Sequence, residues 1–197
     1  MIKETIKKLL AKKYKGILLR GKTLHSINKA ANIKIDGVMQ FNLKVSDSKS
    51  NRYEIGRITI EKNATLICGK DVSFHAGCKL AVHEGAELTL GNNIYFNMNT
   101  SLFCRNKISI GDNTAISQNV VIRDSDVHHI KGKENNAPIS IGNHCWIGTN
   151  VIILKGVTIG DNSVIGAGSV VTHDIPPNCL AAGNPAKVIK EGIEWNV

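Results

Sequence analysis

The sequence predicts an all-β chain, a parallel β-helix of six-residue repeats with an N-terminal helix before it and one loop extruded from it. Three observations predict this. Aliphatic residues recur every six positions through the C-terminal third, at Ile141, Ile147, Ile153, Ile159, Ile165 and Val171. Glycine follows four of them, as Gly142, Gly148, Gly160 and Gly166. Four places after the aliphatic stands a small residue: Cys145, Val151, Val157, Ser163 or Ser169. A period of six fits neither a 3.6-residue helix nor an ordinary hairpin meander. Short strands joined at glycine-aided turns and stacked coil upon coil do fit it. The aliphatics then form one inward ladder, and the small residues pack inside the corners.

The period continues toward the N-terminus with slips. Ile60, Leu66, Val72 and Cys78 are in step, Glu84 misses, and Leu90, Phe96, Leu102 and Ile108 resume. A two-residue shift then gives Ile110, Ile116 and Ile122. The repeat domain is therefore placed at 58–190, with residues 191–197 as a tail. Ahead of it, residues 1–57 read as a basic helix and a lead-in segment. Ile2, Ile6, Leu9, Leu10 and Tyr14 form one apolar stripe at helical spacing, and Gly16 is a terminator. That stripe is expected to cap the domain with its lysines solvated; the alternative is a weak contact with an anionic membrane surface through residues 1–22. Residues 23–57 are turn-rich and contain the polar run SDSKSN at 46–51.

Composition narrows the class. The chain has 197 residues, 42% hydrophobic and 21% charged, enough for one domain with a real core and unlike a disordered tail. No window approaches the ~18 apolar residues of a membrane span. No apolar N-terminal core ending in small residues is present, so the expected location is the cytoplasm, peripheral at the inner membrane face at most. The net charge is +9, but residues 1–22 hold an excess of seven positive charges, so the body carries only +2. With aromatics at 5% and no recognition signature, nucleic acid is not an expected partner. The five cysteines, Cys68, Cys78, Cys104, Cys145 and Cys179, form no CxxC pair. They read as buried small hydrophobes in a reducing compartment, not as a disulfide or zinc framework.

The coil breaks between Ile122 and Ile141, where RDSDVHHIKGKENNAPIS (123–140) is polar and carries two adjacent histidines. A loop extruded from a rigid solenoid is where a binding or catalytic group is displayed. Asp124 and Asp126 flank a serine there, which is also ordinary turn chemistry.

The stretch WIGTNVIILKGVTIGDNSVIGAGSVVTHDIPPNCLAAGNPAKVIK (146–190) and, less specifically, GNNIYFNMNTSLFCRNKISIGDNTAISQNVVI (91–122) resemble the hexapeptide-repeat acyltransferases. The galactoside and maltose O-acetyltransferases and their capsule and lipopolysaccharide relatives are the nearest group. The resemblance covers roughly 58–190. It implies a left-handed coil of three hexads per turn, a homotrimer, and acetyl-CoA as co-substrate without a metal. The implied activity is O-acetylation of a sugar hydroxyl in a bacterial surface polysaccharide or its precursor.

Site residues follow from the same resemblance. A loop histidine is the general base, and the form Asp-x-Asp-x-His-x-Ile places it at His128, with His129 as alternative; of the two aspartates beside it, Asp124 and Asp126, Asp126 is the preferred orienting carboxylate. A neutral alcohol is a poor nucleophile, and imidazole titrates in the right range to activate it. Asn97, Arg105 and Trp146 map to the acceptor site. Thr149, Ala167, Thr172, His173, Lys187 and Lys190 map to the acyl-CoA groove. The two lysines replace family arginines and so keep charge without bidentate phosphate contacts. Arg105 replaces an acidic acceptor contact, which suggests an anionic sugar. The alternatives are N-acetylation of an amino sugar, a γ-type carbonic anhydrase, whose three zinc-binding histidines find no matching spacing, and a non-catalytic scaffold.

Overall fold

The structure, a computed structural model, describes residues 16–43 and 54–196. The helix expected over Ile2–Tyr14 and the SDSKSN run lie outside the described residues. Among the described residues every regular element is a strand. These strands stack into three parallel sheets, the faces of a prism, and the chain visits the faces in turn. The first face includes Val72–His75, Ile94–Phe96, Trp146–Ile147 and Val164–Ile165. The second includes Lys79–Val82, Ser101–Cys104, Val121–Arg123 and Ile152–Ile153. The third includes Glu87–Leu90, Lys107–Ile110, Ile139–Ile141 and Thr158–Ile159. The predicted β-helix is the observed fold.

The coil is not uniform, and this explains the slips in the repeat. Val72 pairs with Ile94, a step of 22 residues; Tyr95 pairs with Ala115, a step of 20; Trp146 pairs with Val164, a step of 18. Only the last of these is three hexads. In the longer coils each side carries two inward residues, as with Leu88 and Leu90 or Ile108 and Ile110, all buried. In the short coils each side carries one, as with Ile147, Ile153 and Ile159. Glu84 misses the pattern because it sits exposed at a turn.

Core side chains shrink along the same direction. One column of register partners runs Phe41, Phe74, Phe96, Ile116, Ile147, Ile165, Ala181. A longer coil encloses a wider section, and close packing then requires a larger side chain to fill it. The corners behave as predicted: Cys145, Val151, Val157, Ser163 and Ser169 are all buried. Ser163 spends its hydroxyl on the Pro176 carbonyl (2.8 Å) and Ser169 on the Gly166 carbonyl (2.6 Å), so no polar corner is left unpaired. Asparagines at positive φ turn another corner, with Asn93 donating to Asn113 at 2.9 Å and Asn162 to Asn178 at 3.0 Å. Asparagine tolerates the left-handed region better than most residues.

The solenoid begins earlier than residue 58. Ile17–Leu19, Thr23–Ile27 and Asn32–Ile35 already form a coil, paired in parallel with Met39–Leu43, Gly56–Ile60 and Thr65–Cys68. The segment read as a lead-in is thus largely β-helix. Its pattern was weak because an end coil packs on one neighbour only, and Thr23–Ile27 buries none of its residues fully. At the other end an antiparallel hairpin, Cys179–Gly183 with Ala186–Glu191, closes the first sheet. Its charged outer strand blunts the open edge.

All five cysteines are free and buried, as the sequence suggests. Burial pushes the Cys68 and Cys78 thiols up to about 12 and Cys145 up to about 11; burial, then the Asp124 carboxylate, raises Cys104 further. An unfolded thiol ionises first, so these groups favour the fold fully below the unfolded value near 9 and lose that contribution as pH rises toward 11–12. Unfolding free energy measured by urea titration is therefore expected to fall between pH 9 and 11. Iodoacetamide at pH 8 is expected to label the native thiols far more slowly than the unfolded ones. Rapid labelling of any single native thiol counts against its burial.

Candidate active site

The extruded loop leaves the corner between the second and third faces. Its base is fixed by Asp124, fully buried, whose carboxylate accepts the backbone N–H groups of Arg105 and Asn106, both at 2.8 Å. A short bridge between Ser125 and Asn136 and the Ala137 N–H to Asp124 carbonyl bond (3.0 Å) close the neck. At its shoulder Val127 takes φ +67, with its N–H donating to the Ser125 hydroxyl at 3.0 Å. A β-branched residue in that region is costly and persists only where its surroundings impose it. His128 and His129 follow, both exposed.

Asp126, expected to orient His128, has a second partner from a neighbouring coil. The Asp126 carboxylate takes the Lys155 ammonium at 2.9 Å, and Lys155 also donates to the Glu134 carbonyl. Asp126 therefore pins the loop to the coil above it.

Beneath the loop runs a groove whose two contiguous parts share His83, Arg105, Ser125 and Val127. Glu61, Glu84, Asn135 and Asn136 line one end, Phe103 and Arg123 the other. Arg105, predicted as an acceptor contact, thus opens into the groove next to the histidine loop. Arg123 is held by its Nε–H donating to the Ser125 carbonyl at 3.0 Å.

The other predicted residues lie elsewhere on the prism. Asn97, Thr149 and Ala167 sit at the corner between the first and second faces. The Gly148 and Asn150 N–H groups there are spent on the Ile165 and Gln118 carbonyls at 2.8 and 3.0 Å, while, among the described residues, the Thr149 N–H makes no backbone hydrogen bond. Coils approach closely at this point: a Cβ on Gly148 would lie 2.7 Å from the Ala167 nitrogen. Trp146 points outward from the first face, 43% exposed, with its indole N–H on the Ser117 hydroxyl at 3.2 Å. Thr172 and His173 lie at the far end of the second face, joined to each other at 2.8 Å. Lys187 and Lys190 are exposed on the closing hairpin.

One chain therefore places Arg105 in the groove beneath the loop that carries the histidines. It leaves Asn97, Trp146, Thr149 and Ala167 across the second face from them. Sequence reasoning missed Trp195, whose ring stacks on His144 at 4.3 Å and lies 5.9 Å from Trp146. It also missed Lys155 and the groove residues Glu61, His83, Phe103 and Arg123. Their alignment depends on coil lengths of 20 and 22 residues, which a six-residue period does not reveal.

Comparison with known proteins agrees with this architecture. A family model described as the hexapeptide repeat of succinyl-transferase matches residues 138–173. The chain is 49% identical over 112 residues to the galactoside O-acetyltransferase of Escherichia coli K12, covering 54% of this chain and 55% of that protein. It thus spans about half the length of the curated relatives it matches. Two solved structures align over nearly the whole chain, each with a TM-score of 0.61. The polySia-specific acetyltransferase NeuO is 27% identical over 93% of this chain and 90% of its own. The polysialic acid O-acetyltransferase OatWY is 26% identical over 92% and 90%. These neighbours are left-handed β-helices, and that is the hand of this coil. With its repeat, its prism and these likenesses in agreement, the chain is similar to the hexapeptide-repeat acetyltransferases.

Proposed function

We propose that the chain is an acetyl-CoA-dependent O-acetyltransferase acting on a hydroxyl of an acidic sugar, in a bacterial surface polysaccharide or its precursor. The observation that carries this reading is the histidine loop standing at the lip of a groove that Arg105 lines. The names of the relatives support acetyl transfer to oxygen, and two of the structural neighbours are named for a polymer of acidic sugars.

In this reading His128 takes the proton of the acceptor hydroxyl as its oxygen attacks the acetyl thioester carbonyl. The C–S bond breaks, and the imidazolium returns the proton to the departing sulfur, so CoA leaves as thiol. The uncommitted Thr149 N–H suits the developing oxyanion. No covalent acyl-enzyme is required. Because Thr149 and Ala167 sit across the second face from the loop, a complete site calls for a second copy of the chain. The surfaces favour such assembly: the second face presents the outward column Val121, Ile152 and Val170, half-buried and apolar. The third face presents Ser109, Ser140 and Thr158 instead. A homotrimer, the family's usual assembly, would complete three such sites.

Titration of acetyl-CoA into the purified protein by calorimetry tests the class, with free CoA and zinc as controls. Saturable binding near one site per chain is expected. Failure to bind either CoA species overturns the reading, and zinc binding in its place would favour a metalloenzyme.

A further inference from the structure

The groove beneath the loop has an order that the acceptor assignment does not use. Ile60 pairs with Val82 and Val82 with Cys104, so Glu61, His83 and Arg105, the residues that follow them, stack in successive coils at one corner. Continuing the next pairing, Phe103 with Arg123, places Ser125 above Arg105. Beside this column runs a second, Thr59, Ala81, Phe103 and Arg123, on the second face. The column lies along the prism axis and ends at the loop.

Its side chains are held from behind. The His83 Nδ1 lies 3.3 Å from the Glu61 carboxylate, whose other oxygen accepts the Glu84 N–H at 2.9 Å. That contact leaves the His83 Nε2 edge for the groove. Arg123 spends its Nε–H on Ser125 and keeps its terminal amino groups. Arg105 makes no salt bridge among the described residues. Phe103 is half-buried and lines the groove together with the two arginines. Guanidinium groups beside an aromatic ring match a carboxylate attached to a pyranose ring. Strands stack about 4.8 Å apart, so His83 lies about 10 Å along the axis from Ser125, farther than one sugar ring reaches.

We propose that this corner is a second sugar subsite: Arg105 and Arg123 meet the acidic sugar that is acetylated at the loop end of the groove, and His83, two coils from Ser125, binds the carboxylate of the next unit. Glu61 is a positioning residue that aims His83. The enzyme then reads a stretch of acidic polymer, not a single sugar. This rests on the proposed O-acetyltransferase reading for its acceptor chemistry.

The test uses an α-linked sialic acid trimer, its monomer, and the carboxyl-reduced trimer, each measured for binding by calorimetry and for acetyl transfer from acetyl-CoA. The trimer is expected to bind about tenfold more tightly than the monomer or the reduced trimer. His83→Asn is expected to raise the trimer KM by about tenfold with kcat little changed, and to lower the monomer kcat/KM much less. Glu61→Gln is expected to give a smaller rise of the same kind. Equal binding of trimer and reduced trimer overturns the subsite, as does an equal loss on monomer and trimer in the variants. Acetylation of neutral sugars without trimer binding sinks the subsite alone. Trimer binding that depends on His83 without any acetyl transfer sinks the transferase reading and leaves the subsite standing.

Discussion

His128→Ala is expected to lower kcat by about 10²- to 10⁴-fold while acetyl-CoA still binds, because removing a general base leaves a neutral hydroxyl to attack unaided. The reasoning is geometric. The neck of the loop is fixed by buried Asp124 and its crown by the Asp126–Lys155 pair, so the backbone entering the histidines is held at both ends. Val127 at φ +67 then turns the chain outward at the groove lip. His128 is the first residue past that turn, and His129 stands one place farther from it. His129→Ala is accordingly expected to keep kcat within a few-fold of wild type. Steady-state kinetics on an acidic acceptor, with calorimetry for acetyl-CoA, separates the cases. Near-full activity in His128→Ala overturns the assignment, and a steep loss confined to His129→Ala transfers the role to its neighbour. Asp126→Asn distinguishes anchoring from orientation. Loss of the Lys155 pair should act through loop order, raising acceptor KM more than it lowers kcat.

The C-terminal coils were legible because their sides are six residues long, so that each hexad places one aliphatic, such as Ile153, and one corner residue, such as Val157, in fixed positions. The lower coils were legible in type but not in register. Ile108 and Ile110 both point inward from one strand, and a six-residue frame must treat the second as a slip. The first coil was read as a lead-in because Thr23–Ile27 is solvated and carries no inward aliphatic repeat. The site shows the same division. Arg105 and His128 were legible from local motifs, and the groove brings Arg105 beneath the loop. Glu61, His83 and Arg123 lie far from the loop motif in sequence or carry no motif of their own. They meet only because successive coils of different length return to one corner. The Lys155 partner of Asp126 was not legible, because Lys155, 29 positions on, is adjacent only in the stack.

Phe74→Ala is expected to cost about 3–5 kcal/mol of unfolding free energy, the largest effect of any single core truncation in this chain. Phe74 is fully buried where the coil is widest. Its ring stacks on Phe96 with centroids 4.1 Å apart and planes 3° from parallel, and it meets Phe41 at 5.1 Å and 34°. Truncation removes the apolar transfer term, leaves a cavity between two rings fixed by their own coils, and forfeits two aromatic contacts worth about 0.5–1.5 kcal/mol each. Ile165→Val, in the narrow end of the same column, should cost only about 0.5–1.5 kcal/mol. Each coil touches only its neighbours, so the loss should also be local. Hydrogen exchange is expected to speed across Met39–Leu43, Val72–His75 and Ile94–Phe96 while the rungs at Ile147 and Ile165 stay protected. Urea titration gives the magnitude and exchange its location. A cost below about 1 kcal/mol would mean the neighbouring rings collapse into the space. Uniform loss of protection from Phe41 to Ala181 would mean the prism unfolds as one unit, against the nearest-neighbour coupling that its stacked coils imply.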